Sequence, residues 1–175
     1  MIDLPDLQEQ VKRAGGPSEP DLKGVLKRLE ADLARLAPVS PEQSPQSRLP
    51  LADVYVYSPL EADRSSVVER VVFRERGFGV RRECQGCGKA CTHCQGGVVK
   101  EPRGQGRDSL IASDLIELAR EDVYDWAVVV STDLLLIPVV RYVQSRGRKI
   151  IHGCFPPVAM DLTKECWASI DLRVF

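Results

Sequence analysis

Two Cys-x-x-Cys units form the most specific chemical pattern in this chain. Cys84 and Cys87 make the first unit, Cys91 and Cys94 make the second, and three residues separate the two. Four thiolates at this spacing are typical of a tetrahedral Zn²⁺ site. We therefore predict a structural Zn²⁺ held by an inserted cysteine-rich loop over residues 84–105. An iron–sulfur cluster and redox-labile thiols are the alternatives that this spacing leaves open.

Aspartates form the second pattern that has chemical meaning. Asp3 follows a short apolar start, Asp6 opens a predicted helix, Asp108 begins another helix, and Asp133 follows a buried strand. In parallel sheets the ligand site lies beyond the carboxyl ends of the strands, where such residues meet. Converging carboxylates favour a Mg²⁺ or Mn²⁺ ion, which can hold a phosphodiester and activate water. Asp114, in the same helix as Asp108, is a weaker fourth candidate.

The same acids also fit a purely structural interpretation. Asp3, Asp6, Asp108 and Asp133 each stand at the start of a predicted helix, where a carboxylate accepts backbone N–H groups as an N-cap. Taken singly, each acid is explained more simply by capping than by catalysis. His152, at the end of a predicted strand, is likewise interpreted as a polar strand residue rather than a catalytic base.

Charge is unevenly distributed along the chain. The net charge is −1, yet residues 64–107 carry ten Lys and Arg against four Asp and Glu. The overall balance argues against a generally basic nucleic-acid coat protein, whereas the segment offers a local basic patch for RNA phosphates. The alternative interpretation is that the basic residues of this segment only form a solvated surface and bind no RNA. The candidate RNA-binding residues that flank the cysteines are Arg81, Arg82, Lys89, Lys100, Arg103 and Arg107.

Helices and strands are predicted to alternate. The predicted helices are Pro5–Ala14, Pro20–Leu36, Asp63–Arg76, Asp108–Glu121, Leu135–Ser145 and Val158–Cys166. The predicted strands are Met1–Ile2, Asp53–Ser58, Phe78–Arg82, Trp126–Ser131, Lys149–His152 and Ser169–Val174. This alternation indicates an α/β fold with a mostly parallel sheet and helices on both faces. Residues 37–50, rich in Pro and Ser, are predicted to form a flexible loop.

Length and hydropathy limit the class of protein. A chain of 175 residues suits one domain, so we expect 1–175 to be a single domain. Apolar runs stay well below the roughly 20 residues of a membrane span. The first residues do not form a basic-then-apolar leader, so we expect a cytoplasmic protein. The first strand would be a stub, so we also expect the natural start upstream of Met1. A homo-oligomer is possible.

Four segments resemble the NYN domain, a PIN-like nuclease family that includes the LabA-like proteins. Gly106–Ala119 is similar to the family's Lys-Gly-Val-Asp-x-x-Leu-Ala-x-Asp segment. Tyr124–Val140 is similar to Tyr-Asp-x-Ala-Val-Leu-Val-Ser-Gly-Asp-x-Asp-Phe-x-Pro-Leu-Val, and Gly147–Ile151 resembles the Gly-Lys-x-Val strand that follows. At the front, Ile2–Leu7 resembles Ile-Asp-Gly-x-Asn-Leu. The resemblance covers most of the chain and is most specific from Asp108 onward.

What the resemblance implies is a three-layer α/β/α sandwich of the PIN-like type, dependence on Mg²⁺ or Mn²⁺, and ribonuclease activity. The positions that match the family's metal-binding acids are Asp3, Asp108 and Asp133, with Asp114 as a weaker fourth. Asp6 stands where the family has an asparagine and is a further metal candidate.

Departures from the family pattern keep alternatives open. Leu135 stands where the second aspartate of Asp-x-Asp is usual, Thr132 replaces a glycine, and Leu4 replaces another. The first hypothesis is a metal-dependent RNA endonuclease. The second is a nuclease-like RNA-binding module that has lost turnover, and a zinc-stabilised adaptor is a third.

Overall fold

The computed structural model describes residues 1–17, 20–36, 53–58, 64–68, 71–77 and 105–173. Within these residues, seven strands and five α-helices form a mixed α/β structure, with a single 3-10 turn at Leu134–Leu136. The strands are β1 (Ile2–Asp3), β2 (Asp53–Ser58), β3 (Arg64–Val68), β4 (Val71–Gly77), β5 (Trp126–Val129), β6 (Lys149–Cys154) and β7 (Ala168–Asp171). The helices are α1 (Leu4–Arg13), α2 (Leu22–Leu36), α3 (Gln105–Arg120), α4 (Ile137–Ser145) and α5 (Met160–Glu165).

The strands form two hydrogen-bonded groups whose neighbours are mostly parallel. One group has the order β1-β2-β4-β3, and only its β3–β4 pair is antiparallel. The other has the order β5-β6-β7 and is parallel throughout. A parallel bridge between Ile2 and Val130 connects β1 to the residue that follows β5. The carboxyl ends of β1 and β5 therefore lie side by side, with their chains running in the same direction.

A first core cluster packs α1 and α2 against the strands. Both helices carry apolar residues at helical spacing, which gives each one a continuous buried stripe. The cluster includes Leu7, Val11, Val25, Leu26, Leu29 and Leu33 from the helices and Val54, Val56, Val128, Val130 and Ile151 from the strand segments. Helix α1 ends where Gly15 adopts a φ of +80°, a left-handed conformation that glycine tolerates best.

A second core cluster packs α3, α4 and α5 against the strands. Its members include Ile111, Leu115, Val140, Val143 and Leu162 from the helices and Tyr57, Val129 and Ile150 from the strands. Adjacent residues of one strand thus belong to different clusters, as with Val128 and Val129. This is the two-residue period of a strand whose side chains alternate between two faces.

The helix predicted over Asp63–Arg76 is wrong. The structure has β3 and β4 there, paired antiparallel with Val68 opposite Val71 and Arg64 opposite Glu75. Valines recur through this segment, and their branched side chains lose rotamer freedom in a helix but pack well on a pleated sheet. The spacing of Val67, Val68, Val71 and Val72 fits helical periodicity, so periodicity alone gave the wrong element.

The other predicted elements in the described part of the chain also occur, β2 with its predicted bounds and the rest with shifted ends. Strand β6 continues to Cys154, so His152 lies inside the strand rather than at its end. The predicted loop over 84–105 lies outside the described residues except for Gln105, which begins α3. The predicted strand Phe78–Arg82 and the loop 37–50 also lie outside them. Within the described part of the chain, no helix has the length and hydropathy to span a membrane.

Candidate functional site

The β1–β5 bridge brings together two segments that are far apart in the sequence. The Asp3 amide donates to the Val130 carbonyl at 2.9 Å, and the Val130 amide donates to the Met1 carbonyl at 2.9 Å. Because both chains run in the same direction, Asp3 and the segment Ser131–Asp133 leave the sheet at the same edge. This is the edge where the sequence pattern predicted that the acids converge.

Asp6 is hydrogen-bonded across this junction. The backbone N–H of Thr132 donates to Asp6 Oδ2, and the Thr132 hydroxyl donates to Asp6 Oδ1 at 2.7 Å. Gln10 Nε2 also lies 3.4 Å from Asp6 Oδ2. Both carboxylate oxygens of Asp6 therefore accept from donors of the chain itself. Thr132 was noted in the sequence only as a substitute for glycine, and its hydroxyl proves to be part of the site.

Asp3 is fully buried and caps α1. Its Oδ1 accepts the Asp6 backbone N–H at 3.1 Å, and its φ and ψ of −75° and 98° are those of an N-cap residue. The structural interpretation of Asp3 is therefore confirmed. The same hydrogen bond joins Asp3 to Asp6, so the two acids and Thr132 form one connected group.

Asp133 also caps a helical turn but keeps one oxygen available. Its Oδ1 accepts from the Leu135 amide at 2.9 Å at the start of the 3-10 turn. Its own amide donates to Ser131 Oγ at 3.2 Å. Asp133 Oδ2 is buried and has no hydrogen-bond partner among the described residues. A buried acceptor without a donor is costly, so this atom has the environment in which a bound cation would be stabilising.

His152 supports the same turn from the neighbouring strand. Its Nε2 lies 2.9 Å from the Ser131 carbonyl oxygen and its Nδ1 lies 2.7 Å from Thr163 Oγ1. A carbonyl can only accept, so Nε2 carries a proton in this network. Burial lowers the pKa of His152, although the hydrogen bond to Ser131 and the charge of Asp6 oppose that change. A neutral imidazole therefore holds the segment that leads to Asp133.

Asp114 is buried and belongs to an ion-pair network on α3, β2 and β4. Arg76 contacts it with two nitrogens: Nε lies 3.1 Å from Oδ2 and Nη2 lies 3.0 Å from Oδ1. The Tyr57 hydroxyl donates to Oδ2 at 2.8 Å. Burial, followed by the charge of Asp114, raises the pKa of Tyr57, so its phenol remains a donor. Sequence reasoning misses Arg76 because it predicts a helix there, and it misses the Tyr57 contact because that contact depends on how α3 packs against the strands.

The complete predicted metal sites extend beyond what the structure describes. Asp108 lies in the first turn of α3, but its side chain is outside the described part. Within the residues that the structure describes, no group of three or more His, Cys, Asp or Glu side chains is arranged to hold a metal ion. The zinc candidates Cys84, Cys87, Cys91 and Cys94 lie outside that part, as do Arg81, Arg82, Lys89, Lys100 and Arg103 and the side chain of Arg107.

The remaining two cysteines are described and do not join a metal site. Cys154 is buried and Cys166 is half-buried, and both are free thiols. Burial raises the pKa of each thiol, to about 12 for Cys166. These are the properties of packing residues, in agreement with the sequence interpretation.

Comparison of the chain with family models, with curated proteins and with solved structures finds no match.

Proposed function

We propose that this chain is a metal-dependent ribonuclease of the NYN and PIN-like type. The observation that carries the proposal is the junction at Ile2 and Val130, which gathers Asp3, Asp6 and Asp133 at the carboxyl edge of parallel strands. Asp108 is proposed as the remaining acid of the site. RNA is the proposed substrate, and the basic residues between Arg81 and Arg107 are proposed to contact its phosphates.

The fold that we propose with this function is a three-layer α/β/α sandwich. Residues of β2, β5 and β6 alternate between the cluster that contains α1 and α2 and the cluster that contains α3, α4 and α5. Such alternation supports a sheet covered by helices on both faces. The strand order also changes direction at β1, which is where doubly wound sheets bind their ligands.

The oxygen donors at the junction are of the chemical type that a hard divalent cation prefers, but Asp3, Asp6 and Asp133 do not by themselves form a group arranged to hold one, so Asp108 would have to complete the site. Mg²⁺ and Mn²⁺ prefer oxygen ligands, and Asp133 Oδ2 is a buried oxygen that lacks a donor within the described residues. When bound, such an ion supplies Lewis-acid stabilisation of a phosphodiester and lowers the pKa of water. In this chain, Thr132 fixes the orientation of Asp6, and His152 fixes the turn before Asp133. These residues thereby hold the proposed ligands in place before substrate arrives.

A substitution that removes the charge of one acid at the junction tests the proposal. We expect Asp133→Asn to reduce Mn²⁺-dependent cleavage of a mixed single-stranded RNA by about 100-fold or more, because the substitution replaces the charged carboxylate at the proposed metal site with a neutral amide. Asp125→Asn removes an exposed acid next to the opposite end of β5 and is the matched control, with an expected rate close to wild type. Equal cleavage by wild type and Asp133→Asn would remove the ribonuclease proposal.

A binding module with weakened catalysis is the second candidate function. Leu135 occupies the position of the family's second aspartate, and its side chain is 74% exposed beside Asp133. Both oxygens of Asp6 already accept hydrogen bonds from Thr132, which leaves fewer oxygens for an ion. For this candidate we expect RNA binding at low salt without Mn²⁺-dependent cleavage, and failure to bind RNA would exclude it.

A further inference from the structure

Three residues lie in one row across adjacent strands at the candidate site. Asp3 is opposite Tyr57 in the β1–β2 pair, and Tyr57 is opposite Arg76 in the β2–β4 pair. Residues opposite each other in paired strands share a face of the sheet, and neighbouring strands are about 4.8 Å apart. The backbone of Arg76 therefore lies about 10 Å from that of Asp3, at the same edge.

Asp114 holds the guanidinium of Arg76 in a fixed orientation. The contact is bidentate, and the Tyr57 hydroxyl shares one of the carboxylate oxygens. The Asp114 side chain is only 5% exposed, whereas that of Arg76 is 32% exposed. A planar guanidinium paired in this way is oriented in advance and loses little freedom when it meets an anion.

The same geometry argues against Asp114 as a metal ligand. Its two oxygens accept three hydrogen bonds, two of them from a cation, so much of its charge is already neutralised. A divalent ion at this carboxylate would also be repelled by the adjacent guanidinium.

We propose that Arg76 binds a phosphate of the RNA strand at the carboxyl edge of the sheet and that Asp114, with Tyr57, positions it. This inference rests on the proposed ribonuclease function and reassigns Asp114 from a metal ligand to a positioning residue. The ligand class is the phosphodiester of a single-stranded RNA.

The chain contains a matched control two residues away on the same strand. Arg74 is opposite Tyr55 and lies 5.9 Å from the centre of its ring, and its Nε is 3.3 Å from Asp53 Oδ2. Arg74 therefore also contacts a tyrosine and an aspartate, but it lies two residues further from the junction along β4 and its contact with the aspartate is through a single nitrogen. Its partner Asp53 is half-buried, with a side chain 27% exposed, whereas Asp114 is buried.

The experiment compares two measurements in four variants. Affinity for a fluorescein-labelled single-stranded RNA is measured by anisotropy over a range of salt concentrations, without divalent metal, and Mn²⁺ binding is measured separately by calorimetry. We expect Arg76→Met to weaken RNA binding by about tenfold or more and to reduce the salt slope by about one. Arg74→Met should stay within about twofold of wild type. Arg76→Lys should recover part of the loss because it keeps the charge.

Asp114→Asn separates positioning from metal binding. We expect it to weaken RNA binding nearly as much as Arg76→Met while Mn²⁺ affinity stays within about twofold of wild type. Loss of Mn²⁺ binding in this variant would overturn the inference and leave the ribonuclease proposal intact. If Asp114→Asn does not fold, the comparison of Arg76→Met with Arg74→Met still decides.

Other outcomes are equally decisive. Equal weakening by Arg76→Met and Arg74→Met would mean that the sheet contributes only diffuse positive charge, and the inference would be wrong. RNA bound as tightly by Arg76→Met as by wild type would overturn it as well. A wild-type protein that binds no RNA at low salt would remove the function and the inference together.

Discussion

At the scale of single residues, the aspartates of the junction have two roles at once. Asp3 and Asp133 accept backbone N–H groups at the starts of helical turns, and Asp6 accepts from Thr132. Capping explains the positions of Asp3 and Asp133 and fixes the direction of their carboxylates, whereas the predicted capping role of Asp6 is wrong because Asp6 lies inside α1. For Asp133 the two interpretations of the sequence do not exclude each other, because its Oδ1 caps the turn while its Oδ2 has no hydrogen-bond partner among the described residues.

The buried imidazole of His152 predicts a dependence of stability on pH. Burial lowers its pKa in the folded protein, whereas in the unfolded chain the pKa returns to about 6.5. The unfolded state then binds more protons below that value, so stability is fully present above pH 6.5 and is lost as the pH falls further.

We expect the urea concentration at the unfolding midpoint of the wild type to decrease when the pH is lowered from 7.5 to 5.5. His152→Gln keeps a donor for the Ser131 carbonyl but cannot titrate, so its midpoint should fall less over the same interval. An equal fall in both proteins would show that His152 does not contribute to the pH dependence.

At the scale of elements, the structure separates what local sequence determines from what it does not. Helix α2 follows from the spacing of residues such as Leu26, Leu29 and Leu33, and strand β2 has its predicted bounds. The antiparallel β3–β4 pair could not be predicted in this way, because the spacing of its valines fits a helix. The choice depends on pairing with β2, which is a contact between distant residues.

The candidate site shows the same division. The position of Asp133 after a buried strand was visible in the sequence, and so was that of Asp3. The contact of Asp114 with Arg76 and Tyr57 was not, since it requires the register of three strands and the placement of α3. The Thr132–Asp6 contact likewise depends on the pairing of segments about 126 residues apart.

Helix α1 allows the capping and metal-binding roles of Asp3 to be measured separately. Asn caps a helix about as well as Asp but carries no charge. We therefore expect Asp3→Asn to keep most of the stability, whereas Asp3→Ala should lose about 1 kcal/mol or more of unfolding free energy. If Asp3 is also a ligand, both variants should bind Mn²⁺ more weakly in calorimetry. Unchanged Mn²⁺ affinity in both would leave Asp3 as a cap alone.

At the scale of the whole molecule, the zinc prediction concerns a segment outside the described residues. The spacing of Cys84, Cys87, Cys91 and Cys94 predicts one Zn²⁺ per chain, measurable by elemental analysis of the purified protein. Cys87→Ser should reduce the zinc content strongly and lower the thermal midpoint, because metal binding contributes to folding. Cys154→Ser changes a free buried thiol and should retain zinc. Equal zinc content in all three proteins would contradict the prediction.

The connection between the two groups of strands has a consequence for how the site is maintained. Among the described residues, β1 is two residues long and meets the β5 segment through one bridge with two backbone hydrogen bonds, and the Met1 amino group donates a third to the Val128 carbonyl at 2.6 Å. Asp3 and Asp6 stand on one side of this seam, and Thr132 and Asp133 stand on the other. Opening of the seam would separate Asp3 and Asp6 from Asp133, and it would also disrupt both core clusters, because each contains residues of both strand groups. Amide hydrogen exchange at Asp3 and Val130 would then report directly how often the site comes apart.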